Sequence, residues 1–170
     1  AKFCDAFGCL QGNSIQQCDA VQAYVQAELK SPYKTWVRLP KEFWPKGKNA
    51  WENRFYDPVV RLDKALYGHP DSGGYWERHA TIRLKTVGFR PLHENWSSCF
   101  WHEKLKLLLV VYVDDFKMAG PAGQLEQGWK LIRSVIDTDP PSDVGRYLGC
   151  DHTITTSNID GHQAKVMNYD

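Results

Sequence analysis

Leu107-Leu108-Leu109-Val110-Val111-Tyr112-Val113-Asp114-Asp115 sets two adjacent carboxylates directly behind an uninterrupted apolar run. The run is rich in β-branched side chains and does not alternate with polar ones. It therefore reads as a strand covered on both faces. Polarity breaks at Asp114, and Phe116–Ala119 can return antiparallel before Gly120-Pro121 closes the hairpin. The tip has two readings. Asp suits a polar turn open to water. Two like charges beside a third carboxylate call instead for a cation.

Working outward, Ser97–Trp101 is a neighbouring strand, joined to Leu105–Val113 by a turn at His102-Glu103-Lys104. Trp76, Ala80, Leu84 and Val87 mark one face of a helix ending at Gly88, and Leu125, Trp129, Ile132 and Ile136 mark another. Ser14–Asp19 is a further strand. Ala20–Leu29 then fits a short helix, with Asp19 either its cap or a ligand at the junction. Ala1–Gly12 has no period. Arg146–Thr156 and His162–Met167 suggest a last hairpin around Asn158–Gly161. This order predicts an α+β fold, an antiparallel sheet backed by two or three helices. Ser14–Asp19, Leu107–Val113 and Phe116–Ala119 should share the sheet. Trp76, Leu84, Leu125, Trp129 and Ile132 should cover one face of it.

Residues 30–64 differ in texture. Nine basic residues stand against four acidic, mixed with Trp36, Phe43, Trp44, Trp51, Phe55 and Tyr56 and interrupted by four prolines. Such a lobe either tracks phosphates and stacks on bases or is a solvated face over a small aromatic core. Lys34, Arg38, Lys41, Lys46 and Lys48 are the candidate nucleic-acid contacts. Strands are expected at Thr35–Leu39 and Val59–Leu62.

The chain has 170 residues, 21 basic and 20 acidic, for a formal net charge of +1. That balance neither demands nor excludes nucleic acid. The apolar run is far short of the roughly 20 residues a membrane helix needs, and no basic-then-apolar leader opens the chain. The expectation is a soluble intracellular domain, cytoplasmic or nuclear, without a membrane partner. Five cysteines without a C-x-x-C pair argue for reduced thiols and against a zinc ribbon. G-x-G-x-x-G and the phosphate-binding G-x-x-x-x-G-K-[ST] are both absent, which disfavours a nucleotide-binding parallel sheet. If Ser14–Asp19 lies beside Leu107–Val113, Asp19 joins Asp114 and Asp115. Oxygen ligands at adjacent strand ends suit Mg²⁺. A pair of ions about 3.5–4 Å apart would serve phosphoryl or nucleotidyl transfer, or a nuclease or phosphatase. The bland alternative is a turn without a catalytic role.

Tyr112-Val113-Asp114-Asp115 resembles the Tyr-x-Asp-Asp box of reverse transcriptases. Gln17-Cys18-Asp19-Ala20-Val21-Gln22-Ala23-Tyr24 is similar to the first metal-binding station of copia-type retrotransposon enzymes. Val60–Gly68, with Leu66-Tyr67-Gly68, resembles that group's leucine-tyrosine-glycine box, and Tyr75-Trp76 sits where its aromatic pair lies. Tyr147-Leu148-Gly149 resembles its primer-grip entry. Trp36–Leu39, Pro40 and Phe43 resemble the segment between the first two stations. The match spans roughly residues 16–169.

The resemblance implies RNA-directed DNA polymerase chemistry on a palm (1–30 and 73–157), a fingers-like insertion (31–72) and a hairpin (158–170) leading toward an absent thumb. Asp19 and Asp114 would be the main ligands of two Mg²⁺ ions, with Asp115 supporting and Mn²⁺ an acceptable substitute. The partners would be a primed RNA or DNA template and a deoxynucleoside triphosphate. Tyr24 would be the steric gate against a 2′-hydroxyl, or a packing residue, or both. Tyr67, Gly68, Tyr112 and Val113 would line the nucleotide, and Tyr147, Leu148 and Gly149 the primer end. His69-Pro70-Asp71-Ser72-Gly73-Gly74 departs from the family's Leu-Lys-Gln-Ala-Pro-Arg, losing three polar or basic grips and gaining an acid. Upstream basic fingers would precede Ala1, and a thumb would begin near Tyr169. A catalytically silent remnant that at most binds nucleic acid is the alternative.

Overall fold

The computed structural model describes residues 1–170. In chain order the elements are α1 (Lys2–Cys9), β1 (Asn13–Asp19), α2 (Ala23–Gln26), β2 (Trp36–Arg38), β3 (Val59–Arg61), α3 (Ser72–Thr86), β4 (Phe89–Pro91), β5 (Cys99–His102), β6 (Leu107–Tyr112), β7 (Asp115–Pro121), α4 (Leu125–Arg133), β8 (Ser142–Asp143), β9 (Arg146–Tyr147), β10 (Cys150–Ile159) and β11 (His162–Tyr169). Six strands form one antiparallel sheet in the order β4-β5-β6-β7-β1-β8. The mixed α/β architecture thus contains the expected continuous sheet.

Leu107 to Val111 are all buried, because β6 is covered twice. On one face Leu107, Leu109 and Val111 join the main core with Trp76 and Leu84 of α3 and Leu125, Trp129 and Ile132 of α4. On the other, Leu108 and Val110 pack with Cys4 of α1 and Ile15 of β1. Tight approach sets both helix contacts. A Cβ on Gly128 would lie 2.4 Å from Leu107 Cδ1, and one on Gly8 would lie 1.9 Å from Ile15 Cγ1. Neither position has room for a side chain.

The helix α1 departs from expectation, since residues 1–12 have no apolar period. Its buried positions are Cys4, Asp5 and Gly8, so hydrophobic patterning is blind to it. Asp5 is fully buried because Lys117 of β7, also fully buried, donates to its Oδ1 at 2.9 Å. Tyr169 of β11 donates to its Oδ2 at 3.1 Å, and His152 Nε2 lies 3.9 Å from that oxygen. Burial and then the Asp5 charge push the Tyr169 phenol up to about 12. The terminal hairpin β10–β11, turning at Asp160-Gly161, thereby docks on α1.

Residues 20–29 are also corrected. Only Ala23–Gln26 is helical, and Asp19 is not its cap, because Gln22 holds that place at φ 48°. Ala20 stays extended, bridging Thr138, and Val21 N–H donates to Asp137 O, so the chain enters the helix too late for Asp19 to cap it. The strands β4 and β8 were not expected. They are edge pieces of three and two residues, too short to leave a period. The turn between β5 and β6 begins one residue later than expected, at Glu103, and Lys106 takes φ 55° before β6. The expected strands in the lobe are present as β2 and β3, which pair only with each other. Trp44 is buried beside Trp51, and Trp51 meets Phe55 edge-on. All five cysteines are free thiols. No helix is long and apolar enough to cross a membrane.

Candidate functional site

The hairpin β6–β7 and the end of β1 bring three carboxylates together. Asp19, the last residue of β1, is the register partner of Asp115, the first of β7. Asp115 is in turn paired with Tyr112 across the tip. Asp114 sits between them, and its carbonyl accepts the Ala20 N–H at 2.7 Å. The turn stores strain, because Val113, a β-branched residue, has φ 52°. Trp76 Nε1 donates to the Val113 carbonyl at 2.7 Å and fixes the tip against α3.

Charge crowding follows from that geometry. Partial burial, then Asp114 and Asp139, raise the Asp19 pKa above its ordinary value. Partial burial, then Asp19 and Asp114, raise that of Asp115. The cause is the same in both cases: ionised carboxylates lose water and face one another. Asp139 escaped sequence reasoning, since it lies in a Pro-rich acidic loop. Its N–H donates to the Asp19 carbonyl at 2.9 Å.

Tyr24 and Tyr67 reach the same place from α2 and the loop after β3. Their rings are 4.3 Å apart at 49°. Burial, followed by the Asp114 charge, raises the Tyr67 phenol. Gly68 follows at φ 90° with open space around it. Tyr24, Tyr112 and Val113 also line a cavity of about 230 Å³ whose floor includes Trp76 and Phe100. The structure therefore gathers Asp19, Asp114, Asp115, Tyr24 and Tyr67, with Tyr112 and Val113 alongside. No group of three or more His, Cys, Asp or Glu side chains is arranged to hold a metal ion.

The remaining candidates lie elsewhere. Tyr147 is buried, with Lys117 Nζ 4.0 Å above its ring and its hydroxyl unpartnered. Burial and the Asp115 charge raise its pKa. Leu148 at φ 51° and Gly149 at φ 80° form the turn that follows, with Leu148 exposed. Lys34, Arg38, Lys41, Lys46 and Lys48 are all exposed on the lobe. Arg38 pairs with Asp57 at 2.8 Å, and Lys41 lies 5.8 Å from the Trp44 ring. Tyr33, Trp36, Phe43, Phe55 and Tyr56 expose their rings on the same lobe.

The missed pair, Asp5 and Lys117, left one signal. A lysine inside the apolar strand Phe116–Ala119 requires a buried partner. Comparison with curated proteins returns no match. A family model described as reverse transcriptase (RNA-dependent DNA polymerase) matches residues 1–169. An apolar strand running into Tyr112-Val113-Asp114-Asp115, whose return strand β7 pairs with a strand ending in Asp19, accords with that match over nearly the whole length: the chain belongs to the reverse transcriptase family.

Proposed function

We propose that this chain is a nucleic-acid-binding module descended from a copia-type polymerase and catalytically silent as folded. The observation that carries the reading is the lobe of residues 31–72. It exposes Lys34, Arg38, Lys41, Lys46 and Lys48 among the exposed rings of Tyr33, Trp36, Phe43, Phe55 and Tyr56. Cations track a phosphate backbone, and flat rings offer stacking without base reading. In polymerase terms the lobe is fingers-like, and residues 1–30 with 73–157 form the palm. The ligand is a primed RNA or DNA template, recognised by charge and shape.

Anisotropy of a labelled primer–template over a salt series tests this. Replacing Lys34, Lys46 and Lys48 by Gln should lower the slope of log K against log salt by about 0.7–0.9 per lost contact. Binding that ignores both salt and these substitutions would overturn it.

The second reading is RNA-directed DNA polymerase, favoured by one observation: Asp19 and Asp115 remain register partners, with Asp114 raising the pKa of both. In that reading Asp19 and Asp114, supported by Asp115, hold two Mg²⁺ or Mn²⁺ ions. Tyr24 gates the sugar of a deoxynucleoside triphosphate beside Tyr67, Gly68, Tyr112 and Val113, and Tyr147, Leu148 and Gly149 steady the primer. Primer extension decides between the two. Silence predicts no product above that of Asp114→Asn with either metal. Metal-dependent product lost in Asp114→Asn selects the polymerase.

A further inference from the structure

The flank of α3 turned away from the carboxylates carries a second charged feature that neither reading uses. Arg78, His79 and Arg83 of α3 line a cleft of about 310 Å³ with Lys30, Lys64 and Glu28. Glu28 is bonded to Lys30 at 3.1 Å, but Lys64, Arg78 and Arg83 form no salt bridge. Four cations and the His79 ring thus face one small volume against a single carboxylate, Glu28. Desolvation, then Arg83 and Lys64, lower the pKa of His79, with Glu28 opposing them. Tyr75 and the exposed Ile82 add an aromatic and an apolar wall, with Arg78 5.8 Å from the Tyr75 ring.

The cleft also has a position in the fold that gives an occupant leverage. Lys30 and Lys64 stand on the two passages of chain that join the lobe to the sheet domain. These passages are tied by an isolated bridge between Glu28 and Lys64 and by backbone bonds from Leu29 to Asp63 and from Ala65 to Ala27. Arg78 and Arg83 belong to the rigid helix opposite. An anion held between them would clamp the lobe to the helix.

We propose that this cleft is a binding site for a polyphosphate anion, a chain of two or three phosphates that engages Lys30 and Lys64 on one wall and Arg78 and Arg83 on the other. A compact, multiply charged ligand suits four cations around so small a volume better than an extended strand does. Two sources share the chemistry, inorganic polyphosphate and the triphosphate of a nucleotide, the latter able to lay its base on Tyr75.

Isothermal titration of the full chain with inorganic tripolyphosphate, and separately with dATP, tests the site without metal or template. Saturable one-to-one binding of tripolyphosphate is expected. Arg78→Gln/Arg83→Gln, and independently Lys64→Gln, should weaken it at least about tenfold, as loss of charge-assisted hydrogen bonds does. Lys34→Gln/Lys46→Gln on the lobe should bind tripolyphosphate like the wild type, which separates this site from the primer–template surface. Tighter binding of dATP assigns the nucleotide as source, and equal or weaker binding assigns the inorganic chain. Absence of saturable binding, or Arg78→Gln/Arg83→Gln and Lys64→Gln variants within about twofold of wild type, overturns the proposal.

Discussion

Replacing Lys117 by Met removes the cation from the most deeply buried charge pair in the protein. Lys117 and Asp5 are both fully buried and 2.9 Å apart. The variant keeps most of the side-chain volume, so packing against the Tyr147 ring largely survives. What it leaves is the Asp5 carboxylate in the interior, with the Tyr169 hydroxyl at 3.1 Å and His152 at 3.9 Å as its remaining polar neighbours. Breaking one side of a buried pair costs about 3–5 kcal/mol, because the orphaned charge is not compensated. Asp5→Asn should cost a similar amount by stranding Lys117. The double variant Asp5→Asn/Lys117→Met strands neither charge and should lose clearly less than the sum of the two. Urea unfolding followed by Trp fluorescence reads all four corners of the cycle, provided the slopes stay equal. A Lys117→Met loss under about 1 kcal/mol, or an additive cycle, would refute the claim that this pair anchors α1.

Asp115→Asn should stabilise the protein at pH 7, because the Asp115 pKa is raised by partial burial, Asp19 and Asp114. A carboxyl that holds its proton more tightly when folded makes stability fall as pH rises through its folded pKa. The thermal advantage of the variant over wild type should therefore shrink as pH drops below the unfolded Asp value of about 3.9; a constant advantage would remove crowding as its cause. Gly8→Ala should cost about 1–3 kcal/mol in chemical unfolding despite its gain in helix propensity, since the new Cβ meets Ile15 Cγ1 at 1.9 Å. Trp76→Phe loses the bond to the Val113 carbonyl and should cost about 1–3 kcal/mol while hydrogen exchange quickens at the Val113–Asp114 tip.

Where side-chain period and burial agree, the sequence was a sufficient guide. The unbroken Leu107–Val111 run required cover on two faces, and the structure provides it from α3 and α4 on one side and α1 on the other. Trp76, Leu84, Leu125, Trp129 and Ile132 were legible for the same reason. Legibility failed where polar atoms take apolar places. Helix α1 buries Asp5 and Gly8, which no hydrophobic template registers, and its reason for docking lies 112 residues away at Lys117. Ala20–Leu29 has a helical apolar period, yet the backbone of Val21 is claimed by Asp137 and helix formation is limited to one turn. At the candidate site, Asp19 was expected to join Asp114-Asp115 by lying beside Leu107–Val113; it joins them instead through β7, which stands between β6 and β1. The contribution of Asp139 was not legible, because it depends on how an irregular loop folds back.

The Asp5 network also dictates an order of events during synthesis. The hairpins β5–β6 and β6–β7 close over short loops and can form as soon as they are made. Asp5, by contrast, waits in water until Lys117 exists, and its second partner, Tyr169, comes 164 residues after it. Helix α1 is thus made before β7 and β11 and seated only after them. Until then, the face of Leu108 and Val110 that it covers stays open to other chains. Truncations within β11 should therefore release the N-terminal helix, at the opposite end of the sequence, to proteolysis.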